Sequence, residues 1–276
     1  MQLTICGVRG STPAPGPEFV RYGGNTSCIA VGSRGEIPTL ILDAGTGLTR
    51  LSRILNRESF RGTILLGHLH WDHTHGLPFF PAGDRPDART NILMPAQGDP
   101  EQLMLRIMSP PHFPITLDEL RGEWTVSSIE EGQHTIEGFN VLAREIPHKG
   151  SRTFGYRISD GEGTFAYMSD HSPIVEGEGP DGLGEYHPVA LELASGVDLL
   201  IHDCQYTAEE FPARASWGHS AIEYAVGLAR KAGARKLMMF HHDPSRTDGE
   251  LDRFCRAYGR MGVDVDVARE GTVIDL

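Results

Sequence analysis

Hydrophobic and polar positions alternate over residues 2–6, the period of a strand with one buried face. A glycine-rich loop, Gly7-Val8-Arg9-Gly10-Ser11, follows it. Residues 28–31 and 39–42 read as the next strands, the second ending in Asp43-Ala44-Gly45-Thr46-Gly47, and residues 48–55 as a helix. Residues 63–66 are a short apolar strand that runs directly into Gly67. Residues 100–108 read as a helix. Ser109-Pro110-Pro111-His112-Phe113-Pro114 must then be loop, because proline lacks the amide donor and has a fixed φ. Residues 139–146, 154–158, 164–168, 199–201 and 237–240 read as strands. Residues 219–232 place Ile222, Ala225, Val226 and Ala229 at the spacing of an amphipathic helix that stops at Gly233. Strands come first, then strands alternating with helices, which predicts an α/β fold. No repeat or linker-like tract interrupts the chain, so a single domain over 1–276 is expected.

Composition changes this picture in three ways. Hydrophobic residues make up 39% and charged residues 22%, enough to bury a core, and no apolar run approaches the roughly 18 residues of a membrane span. The N-terminus lacks a basic segment followed by a long apolar stretch, so a cytoplasmic location is expected. Cys6, Cys28, Cys204 and Cys255 form no C-x-x-C pair and read as reduced, buried thiols, so a metal site here would use histidine and carboxylate. The formal charge of −12 argues against long nucleic acid as a partner. It leaves room for a small anionic substrate, because bound metal ions invert the local potential.

Chemistry concentrates in His68-Leu69-His70-Trp71-Asp72-His73, at the mouth of the 63–66 strand. Zinc favours imidazole nitrogen and carboxylate oxygen. A turn just after a strand can point His68 and His70 at one ion and Asp72 and His73 at another. Further ligands should lie downstream. His148, Asp170 and the pair His241 and His242 each sit just past an apolar strand, where a side chain reaches a common rim.

The H-x-H-x-D-H motif, followed by histidine, aspartate and histidine each after a strand, resembles the metallo-β-lactamase superfamily. Within it the chain is similar to the phosphodiesterase branch of ribonuclease Z and cyclic-phosphodiesterase relatives. Gly218-His219-Ser220-Ala221 resembles that branch's G-H-S-T-A segment. Val197–Asp203 resembles its buried strand ending in an acid, with aspartate where glutamate is usual. Gly155-Tyr156-Arg157-Ile158 after His148 fits too, as does Phe240-His241 with Pro244 and Arg246.

The resemblance implies a four-layer αββα metallo-β-lactamase sandwich. It implies two divalent ions, with zinc favoured over manganese or iron. One would be held by His68, His70 and His148 and the other by Asp72, His73 and His241, with Asp170 bridging. His241 is preferred to His242 by motif alignment. Homodimerisation is a family-level expectation.

Two close ions can share a water and generate a hydroxide nucleophile near neutral pH. Asp72 could orient it. His219, held by Asp203, is the candidate acid for the leaving oxygen. The plainer alternative is that His219 merely opens its helix. The reading is hydrolysis of a phosphodiester, a small or cyclic nucleotide. The alternatives are an RNA-processing nuclease, a carbonyl-bond hydrolase of lactonase or β-lactamase type, and a non-catalytic metal-binding sensor. Lys149, Arg152 and Arg246 could grip phosphate or be solvated charges, and Asn25 could line the pocket. Trp71 and Trp217 could stack a base, although core packing is the plainer role. Residues 177–182 match G-x-G-x-x-G but contain proline and follow no clear strand, so they are no dinucleotide site.

Overall fold

The computed structural model describes residues 1–179, 181–259 and 261–276, so Pro180 of the 177–182 stretch lies outside the described residues. The first half forms β1 (Gln2–Gly7), β2 (Cys28–Gly32), β3 (Leu40–Leu42), α1 (Leu48–Ile54), β4 (Arg61–Leu65), β5 (Arg89–Pro95), α2 (Pro100–Ile107) and β6 (Glu123–Ile129). The second forms β7 (Gly132–Ile136), β8 (Phe139–Glu145), β9 (Phe154–Ser159), β10 (Thr164–Met168), α3 (Pro188–Ala194) and β11 (Leu199–Asp203). It continues through α4 (Phe211–Arg214), α5 (Ile222–Ala232), β12 (Lys236–Phe240), α6 (Asp248–Tyr258), β13 (Asp264–Val267) and β14 (Val273–Asp275).

The strands make two sheets, β14-β1-β2-β3-β4-β5-β6 and β13-β12-β11-β10-β9-β8-β7. Each has a parallel half, β3 to β6 and β10 to β13, whose strands are joined through α1, α2, α3, α5 and α6. Alternation along the strands explains the layers. Leu3, Ile29, Leu40 and Leu42 of one sheet pack against Val141, Phe165, Ile201 and Met238 of the other. Their neighbours turn outward. Ala30, Ile41 and Ile64 meet Leu48, Leu51 and Met104 of α1 and α2. Ala166, Leu200 and Met239 meet Leu193, Ala225 and Leu251 of α3, α5 and α6. The result is the αββα sandwich expected from the sequence, the metallo-β-lactamase fold. No helix among the described residues is long and apolar enough to cross a membrane.

The structure departs from the sequence reading in several places. The helix expected over 219–232 begins at Ile222, and His219 precedes it. Tyr206 pairs with this segment, donating its amide to Ser220 and accepting from the Ile222 amide at 2.8 Å, which holds 219–221 extended. Strands β5, β6 and β7 went unread because their outward positions are polar and exposed. Helix α6 buries only Asp248 and Leu251, so it lacks a full apolar stripe; its capping box, Thr247 with Glu250, was the available signal.

Candidate metal centre

His68, His70, Asp72 and His73 follow β4, His148 follows β8, Asp170 follows β10 and His241 follows β12. Strands β8 and β10 both run antiparallel to β9, so their C-terminal ends share an edge. Ligand sites of α/β sheets lie outside such ends, where loops converge. Donor atoms of His68, His70 and His148 lie within 4.8 Å of one another, and those of Asp72, His73, Asp170 and His241 form a second group by the same measure. Asp170 stands between them. Its Oδ2 is 3.0 Å from His73 Nε2, and its Oδ1 is 3.1 Å from His241 Nε2, 3.8 Å from His148 Nε2 and 3.9 Å from His68 Nε2.

Apart from His148 Nε2, which meets His70 Nδ1 at 3.3 Å, most of these atoms converge without bonding one another. Both ring nitrogens of His68, Nε2 of His73 and His241, and Oδ2 of Asp170 are buried with no hydrogen-bond partner among the described residues. Buried polar atoms are rarely left so. A set of imidazoles and carboxylates with several orphaned donor atoms aimed at common points fits divalent ions.

Three of the other ring nitrogens are tied down. His148 Nδ1 donates to Gly218 O at 2.7 Å, His73 Nδ1 donates to Asp43 Oδ2 at 2.7 Å, and His241 Nδ1 faces Ser27 Oγ at 3.1 Å. Each contact leaves Nε2 directed into the cluster, the arrangement that orients ligand histidines. Asp43 is the hub of this outer ring. Fully buried at the end of β3, with φ +57, it also accepts from Gly67 N and Tyr167 Oη at 2.7 Å and from Ser169 Oγ at 3.3 Å.

The first loop supports the other carboxylate. Ser11, at φ +60, donates its amide to Asp72 Oδ2 at 2.7 Å. Gly10 passes so near the site that a Cβ there would come 2.4 Å from His241 Cδ2. Burial pushes the Asp170 carboxyl up, but the imidazoles of His241, His73 and His68 pull it down further, well below the usual range. Burial holds His68 well below the ordinary histidine value, with His73 beside it adding to the effect.

His219 and Asp203 lie at the edge of this cluster, with His219 Nδ1 3.7 Å from Asp170 Oδ1. His219 Nδ1 donates to Asp203 Oδ2 at 2.9 Å, and Asp203 also accepts from the amides of His171 and Gln205. The shorter acid therefore reaches its histidine. Burial lowers the imidazole's pKa, but the Asp203 charge and hydrogen bond raise it to about 9. The His219 ring stacks on His241, with centroids 5.0 Å apart. In front of the cluster is a cavity of about 360 Å³ lined by Ser11, Leu69, His70, Trp71, Asp72 and His219.

Several other residues singled out in the sequence turn away from the cluster. His242 turns away and donates Nε2 to Ala268 O. Arg152 is tied to Glu145 and Glu130, and Arg246 to Glu210. The Asn25 side chain donates to Glu270. Cys6, Cys28 and Cys204 are buried free thiols and Cys255 is half-buried. Trp71 and Trp217 do not pack in the core as expected, being 72% and 60% exposed. Asp43, Ser11 and Ser27 were missed. The only signal was the small-residue run around Asp43 and the glycine-rich loop around Ser11.

A family profile described as "Beta-lactamase superfamily domain" matches residues 39–242. Ribonuclease Z of Exiguobacterium sibiricum is 27% identical over 227 residues, spanning 68% of this chain and 73% of its own. The metallo-beta-lactamase fold protein YhfI from Bacillus subtilis superposes with a TM-score of 0.72 at 20% identity, covering 99% of this chain and 98% of its own. A diphosphatase from the PhnP family superposes with a TM-score of 0.71 at 16% identity, covering 100% and 97%.

Proposed function

This chain belongs to the beta-lactamase superfamily, and we propose that it is a divalent-metal-dependent phosphodiesterase acting on a small or cyclic nucleotide. The observation that carries this reading is the 2.9 Å His219–Asp203 contact at the edge of the ligand cluster. A carbonyl-bond hydrolase has less need of a dedicated acid there. A ribonuclease Z and a diphosphatase among its relatives favour phosphoric esters and anhydrides as the bond class.

In this reading His68, His70 and His148 would hold one ion and Asp72, His73 and His241 the other, with Asp170 standing between the two groups. The donor set suits zinc, with manganese or iron as alternatives. When bound, such ions lower the pKa of water and neutralise phosphate charge. The chain's own groups do the rest. Asp72, fixed by the Ser11 amide, offers an oxygen that can orient the attacking water. His219 keeps Nδ1 on Asp203, so Nε2 is the atom that can pass a proton to the leaving oxygen. The 360 Å³ cavity suits a small substrate. We expect it to act in the cytoplasm as a homodimer.

An RNA-processing nuclease is the second reading, favoured by the ribonuclease Z relative. The net charge of −12 weighs against it. Hydrolysis of bis(p-nitrophenyl) phosphate, with metal content measured on the same sample, tests the main reading. Turnover lost on chelation and restored by metal is expected. Turnover on lactones or β-lactams far above that on phosphodiesters, or none at two bound ions, would overturn it. A panel of cyclic nucleotides against precursor tRNA separates the small-substrate reading from the nuclease.

A further inference from the structure

Trp71 occupies an unusual position for a large apolar side chain. It sits between two candidate ligands, His70 and Asp72, and lines the catalytic cavity. Yet it is 72% exposed, so core packing does not explain it. Its backbone is fixed. Its backbone carbonyl accepts from the amides of Thr74 at 3.1 Å and His75 at 2.8 Å, in the short 3₁₀ turn Trp71–His73. One face of its indole stacks on the His75 imidazole, with centroids 5.7 Å apart and planes 16° from parallel. The indole is thus held at the cavity rim with its apolar surface largely open to solvent.

We propose that Trp71 is a stacking platform that selects phosphoesters bearing a planar aromatic group, a nucleobase above all. The inference rests on the proposed phosphodiesterase reading and deepens it, since it says which part of the substrate is recognised. The physical basis is proximity. Trp71 lines the same cavity as His70, Asp72 and His219, so a phosphoryl group drawn to the cluster has its substituent within reach of the indole. Base–aromatic stacking tolerates any base, because every base has a π face. His75 lies alongside one face of the ring and leaves the other open to a base. The chain therefore discriminates nucleotides from sugar phosphates of equal charge, which the ligand cluster alone cannot do.

The test uses fluorescence. The chain has three tryptophans, so a Trp124→Phe, Trp217→Phe protein carries Trp71 as its sole indole. The metal-loaded protein is titrated with adenosine 5′-monophosphate and, separately, with ribose 5-phosphate. Quenching that saturates with the first and is absent with the second is expected. Trp71→Ala in the otherwise natural chain should weaken AMP binding by calorimetry about tenfold or more, the scale of one lost base stack, while Trp71→Phe keeps most of the affinity. Ribose 5-phosphate binding should not change.

Equal affinity for the two ligands, or AMP affinity unchanged in Trp71→Ala, would overturn the platform even if phosphodiester turnover is robust. Aromatic-selective binding by a protein that turns over no phosphodiester would support the platform and instead sink the proposed activity.

Discussion

Asp43 Oδ2 lies 2.7 Å from His73 Nδ1, and both side chains are fully buried. Thirty residues separate them in sequence, yet this contact sets which nitrogen of His73 faces the candidate metal centre. The same carboxylate accepts from Gly67, Tyr167 and Ser169, so it ties β3, the histidine loop and β10 into one frame.

Asp43→Asn should keep the fold but weaken metal binding. Asparagine retains an acceptor but loses the charge that holds His73 in one tautomer. Loss of such a partner costs roughly 10–100-fold in metal affinity or activity. Competition with a chromogenic chelator measures it, and unchanged affinity would remove Asp43 from the site's support.

His219→Ala should leave metal stoichiometry intact and slow hydrolysis according to the leaving group. A positioned acid contributes on the order of 10²–10⁴-fold. The loss should approach that range for alkyl phosphodiesters and be much smaller for p-nitrophenyl esters, whose leaving group needs no proton. A uniform loss across leaving groups would assign His219 to substrate binding.

Gly10→Ala should displace His241. A Cβ at this position would stand 2.4 Å from His241 Cδ2 and 2.5 Å from Gln205 Nε2, too close for either to stay. The variant should melt as a folded protein but bind fewer ions than the natural chain. Full metal content by elemental analysis would show that the loop relaxes instead.

Arg152→Ala should leave KM unchanged. Its guanidinium is occupied, with Glu145 at 2.8 Å and Glu130 at 3.0 Å, and also donates to Ala96 O. Partly exposed pairs of this kind add little to stability. A large rise in KM with unaltered kcat would place this arginine on the substrate's path.

His202 gives a pH dependence of stability. Burial lowers its pKa, against the opposing pull of Asp203, so the folded value lies below the unfolded one. The unfolded chain then takes up the proton first, and stability is lost as pH falls through about 6.5 toward the folded value. Each such proton contributes a slope of up to about 1.4 kcal/mol per pH unit. His202→Gln should therefore flatten the loss of urea stability between neutral and mildly acidic pH in chelator-treated protein. Equal slopes for the two proteins would contradict the buried neutral state.

The sequence by itself determined the parts that depend on short-range pattern. Alternation over residues 2–6 and the apolar runs at 28–31 and 164–168 marked strands, so an α/β fold was legible from local pattern, while the two-sheet sandwich was implied by the family resemblance. The H-x-H-x-D-H run after an apolar strand, and His148, Asp170 and His241 each placed after another, could be read because strand ends and ligand spacing are local properties.

The tertiary structure alone decided what depends on packing between distant segments. Adjacent residues at a strand end project in different directions. The bond from His242 to Ala268, the contact of His241 with Ser27 and the φ of +56 at His241 set which of the two faces the cluster. Ser11 reaches Asp72 across 61 positions of chain, and Asp43 reaches Tyr167 across 124. Trp71 reads as a core residue by its chemistry and stands in solvent because a short turn carries it to the cavity rim. Burial and partnership of this kind emerge only when the sheets close on each other, since no local period encodes them.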